Sequence, residues 1–176
     1  MEFNKKIYEK EFKRLEKEEY IKISNQTFKI WLFLNKAENS LQIAKFIKEF
    51  KPKEEIPKKL FWNYWAITIS YYSMLYAAKA VILTKNYETS DHYSTQIALG
   101  HLLVPTEIEK GDLEILNQSY KIFEDEYIKY FEDARKESKI ARYSAIKTYT
   151  QRRLDEIYEN AREFIAKISL MLSDLK

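Results

Sequence analysis

The sequence predicts an all-α protein, an up-and-down helical bundle of four long helices plus one short helix, preceded by an N-terminal helical arm. Glycine occurs twice and proline three times in 176 residues, where average usage gives about 12 glycines and about 9 prolines. Folds built from short strands need many tight turns, so this scarcity excludes β-sandwiches, barrels and Rossmann-type domains. Apolar residues also recur at helical spacing along nearly the whole chain.

The first element is a charged helical arm, residues 1–23, which we assign to a unit separate from the helical bundle of residues 24–176. Its apolar residues share one helical face and leave the rest of the surface charged. These residues are Ile7, Tyr8, Phe12 and Leu15. The arm holds no apolar stretch of the kind that a signal peptide needs, so we expect no signal peptide and a cytoplasmic protein.

Residues 24–50 repeat the amphipathic pattern and predict the first long helix of the bundle. Two prolines mark residues 51–59 as a loop. The next helix, residues 60–85, is apolar nearly all round, since Lys79 is its only charged residue apart from the terminal Lys85. Such a helix lies at the centre of a bundle or spans a membrane. We expect a central helix and no membrane, because the neighbouring amphipathic helices need a core to pack against.

The second half of the chain predicts three more helices. Residues 86–90 are expected to form a short loop. Asp91, or the serine before it, can cap a short helix that ends at Pro105. A long helix is expected from near Asp112, and a last helix over residues 148–174, where the apolar stripe continues at helical spacing.

Few residues can carry metal or redox chemistry. The chain has no cysteine, which excludes a disulfide framework and a thiolate metal site. His92 and His101 are nine residues apart, which at about 100° per residue places them on opposite faces of one helix, where they cannot share a metal ion. No metal and no cofactor are therefore expected. His92, at the start of the short helix, is expected to have a local capping or surface role, with a site role as the alternative. His101, in an apolar run, is expected to be a core or interface residue.

The clearest functional feature is a change of charge along the second half of the chain. Residues 107–133 carry nine acidic and three basic residues, whereas residues 135–153 carry seven basic residues against Glu137 alone. Basic side chains pair with phosphates and tyrosine rings stack on unpaired bases, so this basic stretch is a candidate site for single-stranded RNA or a nucleotide. Its candidate residues are Arg135, Lys139, Arg142, Tyr143, Lys147, Tyr149 and Arg152. The alternative is a solvated helix junction whose basic residues complement the helix dipole.

Part of the sequence resembles a known family. Residues 65–103, WAITISYYSMLYAAKAVILTKNYETSDHYSTQIALGHLL, resemble the central signature of HEPN domains (higher eukaryotes and prokaryotes nucleotide-binding). That signature has an aromatic pair, small residues, a loop, a histidine and a short amphipathic helix. Residues 31–47, WLFLNKAENSLQIAKFI, are similar to the family's first helix, and Arg142-Tyr143 with the helix that follows is similar to its final junction. The resemblance covers roughly residues 24–175.

The resemblance implies an all-α bundle that is usually a homodimer. Many members are metal-independent ribonucleases or their inactive relatives, and many pair with a minimal nucleotidyltransferase in a toxin–antitoxin or defence module. Active members carry an arginine, then four to six intervening residues, then a histidine, at the start of the last helix. The arginine stabilises charge on the phosphate and the histidine transfers a proton.

The present sequence departs from that motif, because no histidine follows residue 101. In one alignment Arg142 is followed by Lys147 and Tyr149, so that Lys147 stands where the histidine belongs. In another, Arg135 or Arg142 together with Tyr143 matches a degenerate junction found in some HEPN families. Both alignments stay open on the sequence.

The sequence therefore predicts an RNA- or nucleotide-binding protein with weak or no nuclease activity, the partner of a minimal nucleotidyltransferase. The alternatives are an active metal-independent ribonuclease toxin and a non-catalytic all-α protein-interaction module. For a nuclease, the catalytic candidates are Arg142, Lys147 and His92, the last recruited from the loop before the short helix. A homodimer is expected, formed through the surplus of apolar and tyrosine residues on the helix of residues 60–85.

Overall fold

A computed structural model of the chain describes residues 3–50, 62–104, 106–121 and 151–173. The elements are α1 (Lys5–Lys17), β1 (Ile21–Ile23), α2 (Phe28–Glu49), α3 (Trp62–Leu83), β2 (Tyr87–Thr89), α4 (His92–Leu103), α5 (helical over residues 110–121) and α6 (Gln151–Ser173). Within these ranges the only sheet is an antiparallel ribbon of β1 and β2. The predicted all-α bundle is confirmed.

The helix α3 forms the centre of the bundle and packs against α2, α4 and α6. Small residues on α3, among them Ala66, Ala77 and Ala80, are fully buried and let the neighbouring helices approach closely. Among the described residues, one window, Trp65–Leu83, is long and apolar enough to cross a membrane by length and composition alone, and 72% of it is buried inside the protein. Burial of this degree is what the central helix of a bundle shows, as the near-absence of charge predicts.

The arm helix α1 packs on α4. Asn4 caps it, since the side-chain oxygen accepts hydrogen bonds from the backbone N–H groups of Lys6 and Ile7. Its buried residues Tyr8, Phe12 and Leu15 belong to the same core cluster as the bundle helices. Ile7, predicted to share that stripe, is 46% exposed, because it lies about 100° around the helix from Tyr8. The domain boundary at residue 23 stays a prediction.

The ribbon of β1 and β2 differs from the prediction, which placed residues 21–23 in the helical arm and residues 86–90 in a loop. Ile21 pairs with Thr89 and Ile23 with Tyr87. The chain enters each strand through a residue in the left-handed region, Glu19 with φ 63° and Asn86 with φ 61°. A left-handed residue stops a helix, so α1 ends at Lys17 and leaves the next residues free to pair.

The helices α1 and α4 approach each other closely at Gly100. A Cβ atom placed on Gly100 would overlap the ring carbons Cδ1 and Cε1 of Tyr8 and would lie 3.1 Å from Cδ2 of Leu113. Both Tyr8 and Leu113 are fully buried. The Tyr8 hydroxyl also accepts a 3.2 Å hydrogen bond from the side chain of Gln96. Glycine at this position therefore provides the space that the Tyr8 ring occupies.

His101 lies between α4 and α1, in the interface role expected for it, with its ring 4.5 Å from that of Phe12. Burial lowers the pKa of His101 below its usual value of 6.5, while the Glu9 carboxylate partly opposes that change. The unfolded chain therefore takes up a proton at higher pH than the folded protein does. The free energy of unfolding should then fall as the pH drops below 6.5 toward the folded pKa, and level off below it.

We expect His101→Leu to remove this part of the pH dependence. The measurement is urea unfolding of the wild-type protein and of the variant at about pH 8 and about pH 5, on either side of the histidine titration. The wild-type protein should lose more stability between the two conditions than the variant does. Equal losses in both proteins would contradict the assignment of the effect to His101.

Candidate functional site around His92

Most of the sequence-predicted site residues lie outside the part of the chain that the structure describes. They are Arg135, Lys139, Arg142, Tyr143, Lys147 and Tyr149. Of Arg152 the structure describes the backbone position, in the first turn of α6, and not the side chain. The basic cleft and its alignment with the family motif therefore stay predictions. The remaining candidate, His92, is described in full.

His92 is the first residue of α4, and a capping box fixes the turn that carries it. The Asp91 carboxylate accepts a 2.7 Å hydrogen bond from the backbone N–H of Ser94. The Ser94 hydroxyl in turn receives a 3.1 Å hydrogen bond from the backbone N–H of Asp91. These reciprocal bonds satisfy backbone donors that the start of a helix otherwise leaves without partners. The predicted cap at Asp91 is present, and it holds the backbone of His92 in place.

Three tyrosine rings surround the imidazole of His92. The Tyr71 ring stacks on it at 5.3 Å between centroids, with 13° between the planes. The Tyr72 ring meets it edge-on at 5.6 Å, and the Tyr120 ring lies tilted at 5.4 Å. We call these four residues the His92 cluster. It joins α3, α4 and α5 at one point, and aromatic pairs at these separations stabilise the packing of the helices that carry them.

A short hydrogen bond joins two members of the His92 cluster. The Tyr71 hydroxyl lies 2.6 Å from Nδ1 of His92, and the tautomer of the ring decides which of the two donates. Tyr71 is 1% exposed, so the bond is shielded from water on the tyrosine side. A histidine with one nitrogen engaged in this way has a fixed ring orientation, the arrangement in which it can transfer a proton through the other nitrogen.

Two buried hydroxyl groups lie close in sequence to members of the His92 cluster. Thr68 lies about one turn before Tyr71 and Tyr72 on α3, and Ser119 directly precedes Tyr120 on α5. Among the residues that the structure describes, neither Thr68 Oγ1 nor Ser119 Oγ has a hydrogen-bond partner. By contrast, Ser70 on α3 donates a 2.7 Å hydrogen bond to the carbonyl of Ala66. Unsatisfied buried hydroxyls are uncommon in proteins.

The structure brings together residues that the sequence analysis did not connect. The sequence analysis assigned the tyrosines of α3 to the core and to a dimer surface, and Tyr120 to the apolar stripe of its own helix. A histidine at the start of one helix and two consecutive tyrosines in another occur together in many sequences by chance, so the sequence offered no reason to connect them. The His101 ring packs against Phe12 instead. Among the described residues, no group of three histidine or acidic side chains could hold a metal ion.

The comparisons with known proteins give a family. The model of the HEPN domain matches residues 30–171, which span the His92 cluster and most of the chain. A search of the curated proteins gives no match. The match begins within α2, so that α1 and the strand β1 lie before it. Because the match covers far more than half of the sequence, the chain belongs to the HEPN domain family.

Proposed function

We propose that this HEPN protein binds single-stranded RNA or a nucleotide, has weak or no nuclease activity, and acts as the partner of a minimal nucleotidyltransferase in a toxin–antitoxin or defence module. Membership of the family indicates a nucleotide- or RNA-related function. The observation that carries the finer proposal is the absence of any histidine after residue 101. The basic stretch of residues 135–153 can then supply phosphate binding, while the histidine of the active motif is missing from it.

The position of His92 favours one alternative, an active metal-independent ribonuclease. Its ring is held by the Tyr71 hydroxyl at 2.6 Å, and a held imidazole suits general acid–base catalysis. The family arrangement would need the arginine of the motif to come close to this ring. In our proposal the Tyr71–His92 bond instead joins α3 to α4, and the histidine supports the fold.

Binding of single-stranded RNA should weaken steeply with salt, because basic residues that neutralise phosphates release counterions. We expect Arg142→Ala to lower affinity and to reduce the slope of log K against log salt concentration by about 0.7, the contribution of one phosphate on a single strand. Fluorescence anisotropy with a labelled RNA, over a salt series that starts at about 50 mM, measures both quantities.

Arg162→Ala is the matched control, because Arg162 lies exposed on α6 and forms an ion pair with Glu159. This variant should leave the slope unchanged. Binding that does not depend on salt, or no binding at the lowest salt concentration, would contradict the proposal. Co-expression with a neighbouring nucleotidyltransferase gene tests the partner separately, since the two proteins should then purify together.

A further inference from the structure

Lys79 is the only charged residue of α3, and it lies half-buried. Its ammonium donates a hydrogen bond to the carbonyl of Ser90, and the distance of 3.4 Å makes this a weak bond. Across the described ranges, no carboxylate oxygen lies within ion-pair distance of this ammonium. A charged group that is partly withdrawn from water is normally paired with an opposite charge. The position of Lys79 therefore favours an anion that the described residues do not supply.

The two carboxylates whose charge acts on Lys79 are engaged by other groups. Glu88 accepts a 2.8 Å hydrogen bond from the ammonium of Lys29, and Asp91 caps α4. Burial lowers the pKa of Lys79 below its usual value of 10.5, and the charge of Lys36 acts in the same direction, while Asp91 and Glu88 partly oppose the change. An anionic ligand beside Lys79 would stabilise the charged form of this lysine.

An aromatic ring and a second lysine lie next to Lys79. Tyr76 precedes it by one helical turn on the same face of α3. Lys36, which is exposed on α2, places its ammonium 4.4 Å from the centre of the Tyr76 ring. The half-buried Phe33 stacks with the same ring at 6.3 Å between centroids, with 18° between the planes. We call Lys36, Tyr76 and Lys79 the Tyr76 site, which combines two cations with one partly exposed ring.

The contacts inside the Tyr76 site are easily exchanged for contacts with a ligand. Within the described part of the chain, Lys36 forms no ion pair. Its contact with the Tyr76 ring is a cation–π interaction at an exposed position, which is weak. A nucleobase that stacks on the ring can take the place of this ammonium, and the ammonium is then available to a phosphate.

We propose that the Tyr76 site binds one nucleotide unit of a single-stranded RNA, with the base stacked on the ring of Tyr76 and the phosphate held by the ammonium groups of Lys36 and Lys79. This proposal rests on the proposed RNA binding and adds a second contact surface, formed by α2 and α3, to the basic stretch of residues 135–153. The Tyr76 site borders the His92 cluster, because the ring of Tyr72 lies 6.3 Å from that of Tyr76.

Other ligands use only part of the Tyr76 site. An acidic peptide would pair with the two ammonium groups and leave the ring without a role. An apolar protein surface would cover the ring and bury two cations without a counter-charge, which is costly. A nucleotide engages both the cations and the ring, since single-strand binding combines phosphate contacts with stacking on aromatic side chains.

The first experiment measures RNA binding by fluorescence anisotropy over a salt series. Lys36→Ala and Lys79→Gln should each lower the affinity and reduce the slope of log K against log salt concentration by about 0.7, the contribution of one phosphate. Tyr76→Leu should weaken binding by about 5- to 150-fold and leave the slope unchanged, because it removes a stacked base and no charge. Tyr76→Phe keeps the ring and should bind like the wild-type protein.

Lys45→Ala is the matched control. Lys45 is exposed on the same helix as Lys36, and the nine residues between their positions place it on the opposite face. This variant removes the same charge and should leave the slope unchanged. Circular dichroism shows whether each variant is folded. Lys36 is exposed, so Lys36→Ala tests the phosphate contact even where Lys79→Gln does not fold.

The second experiment separates a strand from a free nucleotide. Adenosine monophosphate should displace the labelled RNA only at far higher concentration than unlabelled RNA does, because a strand makes several phosphate contacts and a mononucleotide makes one. Displacement at equal concentrations would overturn the assignment to a strand.

RNA binding that depends on Arg142 and not on Lys36, Lys79 or Tyr76 would overturn this proposal and leave the proposed function standing. Losses in the two lysine variants without a loss in Tyr76→Leu would show a site for anions in general, acidic peptides included, and would overturn the assignment to a nucleotide. A wild-type protein that binds no RNA would overturn the proposed function and this proposal with it.

Discussion

Gly100→Ala is expected to destabilise the protein, although alanine is the better helix former by about 1 kcal/mol. The added Cβ meets the ring of Tyr8, which is fully buried and hydrogen-bonded to Gln96. Overpacking of a core costs about 1–3 kcal/mol. After the helix-propensity gain is subtracted, we expect a net loss of up to about 2 kcal/mol and a fall in the melting temperature of up to roughly 8 °C for a chain of this size. Thermal unfolding followed by circular dichroism measures it.

Gly111→Ala is the matched control. Gly111 lies in α5, and a Cβ placed on it would meet no other described part of the protein beyond its own helix backbone within 4 Å. The same substitution should therefore stabilise the protein by up to about 1 kcal/mol. The variant Tyr8→Leu should remove most of the effect of Gly100→Ala, because residues in contact are energetically coupled. Equal stability changes at the two glycines would show that α1 and α4 pack less closely at Gly100 than they do in the structure.

Ribonuclease activity is expected to be near background in the wild-type protein and to rise in Lys147→His. General acid–base catalysis contributes about 10²–10⁴-fold to rate, and the pKa of an ordinary lysine, about 10.4, is far from neutrality. If Lys147 occupies the histidine position of the family motif, the substitution supplies the missing proton-transfer group. Cleavage of a generic RNA, measured with and without chelator, gives the fold-change.

The control is the double variant Arg142→Ala/Lys147→His, which should fall back to background because phosphate charge is no longer stabilised. The opposite outcome is strong wild-type cleavage that survives chelator, disappears in Arg142→Ala and does not change in Lys147→His. That result would contradict the assignment of Lys147. A further loss in His92→Ala, with the melting temperature unchanged, would then assign the proton transfer to His92.

The helices followed from the sequence because their signals are local. Lack of charge placed α3 at the centre, and Asp91 marked the start of α4. The ribbon did not follow, because a strand of three residues is too short to show an alternating pattern. Its pairing partners, such as Ile21 and Thr89, are 68 positions apart in the sequence. The local sequence of neither strand predicts which segment it pairs with.

The candidate site was predictable only in part. His92 stood out, because histidine is scarce here and this one begins a helix. Its neighbours did not, since α3 is apolar on every side and gives no clue to which face Tyr71 and Tyr72 occupy. Tyr120 lies beside Tyr71 and Tyr72 because of the way α5 packs on α3. Tertiary packing of this kind leaves no periodic signal in a single sequence. The same limit hid the exposure of Phe46, since phenylalanine suits a buried face as well as an exposed one.

The packing of α1 on α4 sets an order of events during synthesis. Tyr8, Phe12 and Leu15 leave the ribosome about 80–90 residues before the surface of α4 on which they pack, and β1 precedes its pairing strand by a similar stretch. At about 5–20 residues per second, that interval lasts several seconds. The α2–α3 hairpin is complete before α4 exists, so it offers the first core on which the nascent chain can build. The arm therefore docks after α2 and α3 have been made and before α6, which packs on α3, has left the ribosome.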